Sequence, residues 1–284
     1  YRQIALTQAA ELKADARTLA LGSCAYLPGL PLAPPSRSFL ARDDGKNTNG
    51  KAMPMVPIKV DPLLQKLKNV YRCFTAGQFS DCEILLKEIL ASIPLVVATS
   101  RTESNDIKEL LSVCREYMTA VRVKTAIGTA AGDPVRSLEL NAYFTHCNLQ
   151  PSHLMLALKT AMASAYKAKN FINATSFARR LLELPDMGSE RNADSRTKAQ
   201  KVLTRSEQAG RNEYKIDYDE MNPFTLDCAT FKPLYKGAAQ IKCSYCSSAY
   251  DPSYQGKACT TCNLCAVGVE TVGLVVQSSG SARR

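Results

Sequence analysis

Five of the eleven cysteines lie between positions 243 and 265 of this 284-residue chain. Four of them form two Cys-x-x-Cys pairs, Cys243 with Cys246 and Cys259 with Cys262, and twelve residues separate the pairs. Each pair can present two thiolates from a tight turn, and two such pairs complete the tetrahedral four-sulfur shell that Zn²⁺ prefers in structural sites. The spacing therefore predicts a metal site with zinc as the first choice, in a small zinc-ribbon-like unit.

The same pairs are compatible with two other uses. Iron could occupy four sulfurs in a rubredoxin-like site, and a redox dithiol is a further possibility, but no βαβ pattern surrounds either pair. Cys265 forms a second, overlapping pair with Cys262; we place it outside the shell because it enters the apolar stretch at positions 266–267. Four cysteine ligands leave no open coordination position, so the predicted metal is structural and not catalytic.

The middle of the chain has the periodicity of helical hairpins. A helical pattern begins with Asp61 as a candidate N-cap and Pro62 in the first turn. After a turn at Gly77, a second apolar stripe starts at Phe79, and the same alternation of large and small apolar residues recurs over residues 154–182. Hairpins of this kind cannot bury their apolar stripe alone, so they predict a tetratricopeptide-like α-solenoid. Further helices are predicted over residues 104–124, 134–145 and 195–208.

The chain is therefore expected to be mainly α-helical, with an extended N-terminal arm and a small β-rich unit after the helices. Proline and polar residues dominate residues 22–57, whereas the first 21 residues are compatible with either strand or helix. A valine-rich run at residues 267–276 predicts β structure near the end of the chain. The predicted division is an arm and linker over residues 1–60, a solenoid over 61–210, the cysteine unit over 211–277 and a disordered tail over 278–284.

No pattern typical of a catalytic site is found. The sequence contains no phosphate-binding loop, nucleophile elbow or paired carboxylates, so we predict that the chain is not an enzyme. His146 and His153 are interpreted as structural histidines because Pro151 interrupts the segment between them and no acidic partner lies within it. The Arg179-Arg180 pair is expected on the solvent-facing side of a helix.

The net charge of +10 is compatible with nucleic acid, an anionic membrane or an acidic protein partner. Nucleic acid is disfavoured because the basic residues are dispersed and are not interleaved with aromatic residues that could stack on bases. A zinc-ribbon adaptor that binds nucleic acid or an anionic membrane surface is kept as the alternative function.

Several stretches together resemble the family of C-terminal domains of coatomer alpha, from the COPI vesicle coat. The likeness runs in order over nearly the whole chain from Val56 onward. It is carried by residues 70–97 (VYRCFTAGQFSDCEILLKEILASIPLVV), 114–117 (CREY), 142–158 (AYFTHCNLQPSHLMLAL), 169–184 (KNFINATSFARRLLEL) and 222–237 (NPFTLDCATFKPLYKG). The zinc prediction rests on the cysteine spacing and not on this resemblance.

The resemblance implies a non-enzymatic coat component in Golgi-to-ER and intra-Golgi transport. Such a protein would be cytoplasmic and peripheral on Golgi membranes and COPI vesicles. Its implied partners are the coatomer epsilon subunit and, through upstream propellers missing here, other coatomer subunits. We expect the epsilon subunit to bind the arm, because apolar residues alternate there and a Pro-rich segment follows. The candidate contact residues are Tyr1, Ile4, Leu6, Leu19, Leu21, Tyr26, Leu27 and Leu30.

Overall fold

A computed structural model describes residues 58–96, 98, 100–130, 132–271 and 273–276. The predicted arm up to residue 57, its eight candidate contact residues and the predicted tail lie outside this range. The chain divides into two compact units, one of which contains residues 66–90 and 109–275. The described residues of the other unit are 58–65, 91–96, 98, 100–108 and 276. All contacts given below lie within the first unit.

The described chain is mainly helical, as predicted, with short antiparallel strands near its end. No helix in the described ranges is both long enough and apolar enough to cross a membrane. The described α-helices are α1 (Val60–Thr75), α2 (Phe79–Ser92), α3 (Arg101–Thr129), α4 (Pro134–Phe144), α5 (Pro151–Lys167), α6 (Phe171–Leu182) and α7 (Ala193–Ala209).

The helix ends follow from local sequence. Asp133 caps α4, because its carboxylate accepts a hydrogen bond from the Arg136 amide at 3.0 Å. Gly210 ends α7 in the left-handed conformation, at a φ of 57°. Helix α1 begins at Val60, so the predicted N-cap Asp61 lies inside the first turn. A carboxylate in that position still favours the helix through its interaction with the helix dipole.

One core cluster joins α4, α5, α6 and α7. Helix α5 packs on α6, and α6 packs on α7, so neighbours in sequence are neighbours in space. Phe177 of α6 is the largest side chain in the cluster and is only 2% exposed. The cluster also contains small residues of α5 and α6, which allow the helices to approach closely: Ala161, Ala165, Ala174 and Ala178.

An extended segment, residues 211–221, runs from the end of α7 along these helices, and we call it the strap. Asn170 is fully buried and holds it: its Nδ2 donates to the Tyr214 carbonyl at 2.9 Å, and its Oδ1 accepts from the Tyr214 amide at 2.8 Å. The first amide of α6, from Phe171, donates to the Arg211 carbonyl at 3.0 Å. The strap thereby satisfies a backbone donor that a helix start otherwise leaves without a partner.

Arg180 fixes the chain after α4. Its two terminal nitrogens donate to the Thr145 hydroxyl and carbonyl oxygens, each at 2.9 Å, and its Nε lies 3.5 Å from a Glu220 oxygen. Arg179 pairs with Glu207 at 2.6 Å on an exposed surface. The prediction of a solvent-facing pair is therefore wrong for Arg180, whose side chain is turned towards the α4 end and the strap.

Four short strands follow the strap in the described chain. Strands β1 (Phe224–Leu226) and β2 (Pro233–Tyr235) pair antiparallel, as do β3 (Ile241–Lys242) and β4 (Ala249–Tyr250). The valine-rich run at 267–276 forms no regular strand among its described residues, although Val267 makes an isolated bridge to Cys243. Gly268 and Gly273 have φ values of 73° and 68°, which interrupt the extended conformation that a strand requires.

His153, near the start of α5, is buried in a hydrogen-bonded network. The Tyr117 hydroxyl accepts from the Gln150 amide at 3.2 Å, so its own proton is directed to His153 Nδ1 at 2.6 Å. His153 Nε2 then donates to Thr75 Oγ1 at 2.9 Å, and the Thr75 hydroxyl donates to the Tyr71 carbonyl at 2.9 Å. This pattern uses a neutral imidazole, and burial lowers the pKa of His153.

We expect the free energy of unfolding to fall as the pH drops below about 6.5, the ordinary histidine pKa. Burial and the nearby Arg180 also lower the pKa of His146, to about 4, although part of its ring is open to solvent. The unfolded chain therefore takes up protons first, and the stability present above pH 6.5 is lost as the pH falls towards the folded pKa.

The measurement is urea unfolding from pH 7.5 to pH 5. We expect most of the loss to come from the buried His153, because solvent screens the interactions of the exposed His146. The chain contains only these two histidines, so a His146→Gln, His153→Gln double variant is the matched control. The same pH dependence in both proteins would contradict the assignment.

Candidate metal centre

Two turns bring the four predicted cysteines together. Cys243 follows β3 and Cys246 precedes β4, whereas Cys259 and Cys262 lie in a turn closed by the bridge between residues 258 and 266. All four are buried, and their sulfur atoms lie within 4.8 Å of one another. The sulfur atoms of Cys246 and Cys259 are 3.5 Å apart, and those of Cys243 and Cys262 are 3.7 Å apart.

The sulfur positions fit a tetrahedral metal. With Zn–S bonds of about 2.3 Å, the sulfurs of a regular tetrahedron are about 3.8 Å apart. The two short separations are close to that edge and are far longer than the roughly 2.05 Å of a disulfide bond. The four thiols are free. The donor set is therefore suited to a structural Zn²⁺ with no open position.

The two cysteine pairs have the same backbone geometry. The Ser247 amide donates to the Cys243 carbonyl, and the Asn263 amide donates to the Cys259 carbonyl, each at 2.9 Å. The residue after each pair is left-handed, with φ of 60° at Ser247 and 56° at Asn263. Asparagine tolerates this conformation better than serine does, and glycine best of all. Both segments therefore form the same turn although their inner residues differ.

Hydrogen bonds to sulfur favour the thiolate form of two cysteines. A bond from Cys246 is the main cause that lowers the pKa of Cys243 to about 7. The pKa of Cys259 is also lowered, by bonds from the neighbouring cysteines, Cys243 first. The same hydrogen bonds raise the pKa of Cys246 and of Cys262, Cys243 being the first partner of each. A metal ligand must be deprotonated to bind, so a metal that took all four thiolates would release the protons that these two cysteines keep.

Helix α3 holds both turns through two arginines. Arg115 donates from Nη1 to the Cys246 carbonyl at 3.4 Å, and Arg122 donates from Nη1 to the Thr260 carbonyl at 2.9 Å. The two residues are seven positions apart and so lie on the same face of the helix. Each arginine thus reaches one turn and binds a backbone carbonyl there.

Further contacts fix the first turn and its surroundings. The buried Tyr245, inside the first pair, donates from its hydroxyl to the Leu90 carbonyl of α2 at 2.7 Å. Cys265 lies outside the four-sulfur cluster: its carbonyl accepts from the Cys259 amide at 2.8 Å, and its side chain is half-buried. His146 and His153 are not part of the cluster.

Sequence reasoning missed the residues that hold the turns in place. The sequence shows of Arg115 and Arg122 only a seven-residue spacing on one face of a predicted helix, which does not indicate a partner more than 130 positions away. Tyr245 and Tyr250 are visible as aromatic residues within and just after the first pair, where a small exposed turn would favour polar residues.

The family described as the C-terminus of the coatomer (COPI) alpha subunit matches residues 1–281. The chain belongs to this family. The resemblance found in the sequence is thereby confirmed, including its extent over nearly the whole chain.

Three curated relatives illustrate the range of similarity to this coatomer family. The chain is 35% identical over 281 residues to coatomer subunit alpha-1 of Arabidopsis thaliana, which covers 98% of the chain and 23% of that protein. It is 38% identical over 234 residues to coatomer subunit alpha of Dictyostelium discoideum, covering 79% of the chain and 19% of that protein. It is 24% identical over 278 residues to coatomer subunit alpha of Saccharomyces cerevisiae, covering 97% of the chain and 23% of that protein.

The chain therefore spans less than a quarter of the length of these relatives. Their names describe subunits of coatomer and not enzymes, which agrees with the prediction that the chain has no catalytic role.

Proposed function

We propose that this chain is an assembly module of the COPI coat that binds the coatomer epsilon subunit. The observation that carries the proposal is the family match over residues 1–281, from the first residue almost to the last. As part of the coat, the protein would act in Golgi-to-ER and intra-Golgi transport. It would be cytoplasmic and peripheral on Golgi membranes and COPI vesicles, with other coatomer subunits as further partners.

The helical part supports a scaffolding role. From α4 to α7, each helix packs mainly on the next helix in sequence, the arrangement from which a tetratricopeptide-like α-solenoid is built. Stacked hairpins give extended surfaces that suit protein partners. We retain the proposed division into an arm over residues 1–60, a solenoid over 61–210 and a cysteine unit over 211–277.

We infer that the four cysteines hold a structural zinc ion in a ribbon-like pair of hairpins. The matching turns, the buried sulfurs and the two arginines of α3 support this role. A unit with so few strand residues has a small core, so the metal would supply much of its folding free energy. When bound, the ion would fix the relative positions of the two turns.

The proposed epsilon-binding element is the N-terminal arm, with the eight alternating apolar residues named above. The decisive test compares the intact chain with a variant that lacks residues 1–32, by calorimetric titration against the purified epsilon subunit. We expect the deletion to abolish binding while the helical circular dichroism and thermal unfolding of the remaining chain are unchanged. Binding of undiminished affinity by the shortened chain would refute the role of the arm.

Point variants provide a matched control within the intact chain. Ile4→Ser and Leu6→Ser remove apolar contacts and should weaken binding, whereas Gln3→Ser and Thr7→Ser, at neighbouring polar positions, should not. A salt titration separates this proposal from the alternative of a phosphate-binding adaptor. Binding that is driven by contacts with phosphates falls steeply with salt, whereas an apolar protein interface persists near physiological ionic strength.

A further inference from the structure

The hydroxyl of Tyr250 lies beside one sulfur of the cysteine cluster. Tyr250 is the second residue of β4 and its side chain is fully buried. Its hydroxyl oxygen is 3.1 Å from the Sγ of Cys259, a distance at which O–H···S hydrogen bonds form. A buried phenol needs a hydrogen-bond partner, and here a metal-binding sulfur is one of those within reach.

The other contacts of the hydroxyl determine where its proton points. The Thr260 amide donates to the Tyr250 oxygen at 3.0 Å, so the oxygen already serves as an acceptor there. The phenolic proton has three candidate acceptors: Cys259 Sγ at 3.1 Å, Thr260 Oγ1 at 3.1 Å and Thr261 Oγ1 at 3.4 Å. Among them only the sulfur carries a negative charge when a metal is bound, and hydrogen bonds to charged acceptors are about twice as strong as neutral ones.

We propose that Tyr250 is a positioning residue of the metal site, whose hydroxyl donates to the metal-bound Cys259 thiolate and thereby strengthens metal binding. The inference rests on the proposed metal site. Four thiolates around Zn²⁺ leave a net charge of −2 in a buried site, and a donated hydrogen bond stabilises part of that charge. Outer-shell partners of this kind are worth about 10- to 100-fold in metal affinity.

The anchoring of the ring supports a fixed geometry for this bond. Tyr250 stacks on Tyr254, with ring centroids 5.0 Å apart and an angle of 12° between the ring planes. The Tyr250 hydroxyl also meets Thr260, whose Oγ1 donates to the Cys228 carbonyl at 2.9 Å. The donor is therefore held in place by the ring stack and by the second turn.

The test is zinc affinity of the full 284-residue chain, measured by competition with a chromophoric chelator. Tyr250→Phe keeps the buried ring and removes only the hydroxyl; we expect its affinity for Zn²⁺ to fall about 10- to 100-fold. Tyr254→Phe removes a hydroxyl from the stacked neighbour, which has no hydrogen bond to the cysteine sulfurs in the described chain, and should bind zinc like the unsubstituted protein. Equal affinity in all three proteins would overturn the role of Tyr250.

A spectroscopic measurement distinguishes a hydrogen bond to sulfur from a loss of packing. Co²⁺ bound to cysteine thiolates gives a near-ultraviolet charge-transfer band whose energy depends on the sulfur lone pairs. Loss of the hydrogen bond should move this band to lower energy in cobalt-loaded Tyr250→Phe and leave it in place in Tyr254→Phe. An unshifted band in both variants would overturn the proposal. If the unsubstituted chain bound neither Zn²⁺ nor Co²⁺, the metal site itself would be refuted.

Discussion

Serine in place of Cys259 is expected to abolish stoichiometric zinc binding and to unfold the part of the cysteine unit that spans residues 241–268. The four sulfurs lie within 4.8 Å of one another, so each contributes a quarter of a closed shell. Structural zinc sites contribute an apparent binding free energy of about 10 to 16 kcal/mol to folding. Few strand residues remain to hold the unit together when that contribution is lost.

The measurement is zinc content per chain by plasma mass spectrometry, together with amide hydrogen exchange over residues 241–268. Cys265→Ser is the matched control, because Cys265 lies in the same segment but outside the cluster. It should retain one zinc per chain and normal exchange protection. Full zinc content in Cys259→Ser, or its loss in Cys265→Ser, would show that the ligand set is wrong.

The second large effect is expected from Phe177→Ala in α6. The side chain is 2% exposed within the core cluster, and truncation of a buried phenylalanine costs about 3 to 5 kcal/mol. Its ring centroid is also 5.9 Å from that of Tyr218 in the strap, so the cavity would loosen the strap as well as the helices. Urea unfolding followed by circular dichroism measures the loss.

Ile172→Ala in the same helix is the control for Phe177→Ala. Ile172 is 54% exposed, and surface substitutions usually change stability by less than about 0.5 kcal/mol. A comparable loss of unfolding free energy in the two variants would mean that Phe177 does not anchor the packing of α5, α6 and α7.

Helix positions could be predicted because apolar periodicity and turn residues are local signals. The second hairpin was predicted over residues 154–182, and α6 ends at Leu182 as predicted. Helix α3 extends from Arg101 to Thr129, beyond the predicted 104–124. Residues 101–103 are polar and carry no apolar pattern, and Gly128 near the other end is a poor helix former. Local patterns therefore identified the helices better than they placed their ends.

The strap could not be predicted from the same signals. Tyr214, Ile216 and Tyr218 alternate with exposed residues and pack against the helical core, which is the period of an extended segment with one buried face. Only three apolar residues carry the pattern, and the surface that they cover is formed by helices distant in sequence. The role of Arg180 was missed for the same reason, because its partner Thr145 lies 35 positions away.

The cysteine cluster was accessible from sequence because metal chemistry demands fixed residue types at fixed spacing. The turns that carry Cys243 and Cys259 needed no distant contact to be inferred. The bonds from Arg115 and Arg122 to these turns join residues distant in sequence, so they could not be inferred from local spacing. Arginines on the surface of a helix are usually solvated. Ligands are thus easier to read from a sequence than the groups that orient them.

The strap also has a practical consequence for anyone who dissects this protein. A fragment made for binding assays or crystallisation could end at Gly210, where α7 ends. Such a fragment would lack the strap, which completes the helical core. The side-chain amide of Asn170 would lose both of its hydrogen bonds to the Tyr214 backbone. The part of the helical core against which Tyr214 and Tyr218 pack would be exposed to solvent. We expect such a fragment to bind other proteins non-specifically through apolar surfaces that the strap covers in the intact chain. Partners identified with it would be misleading.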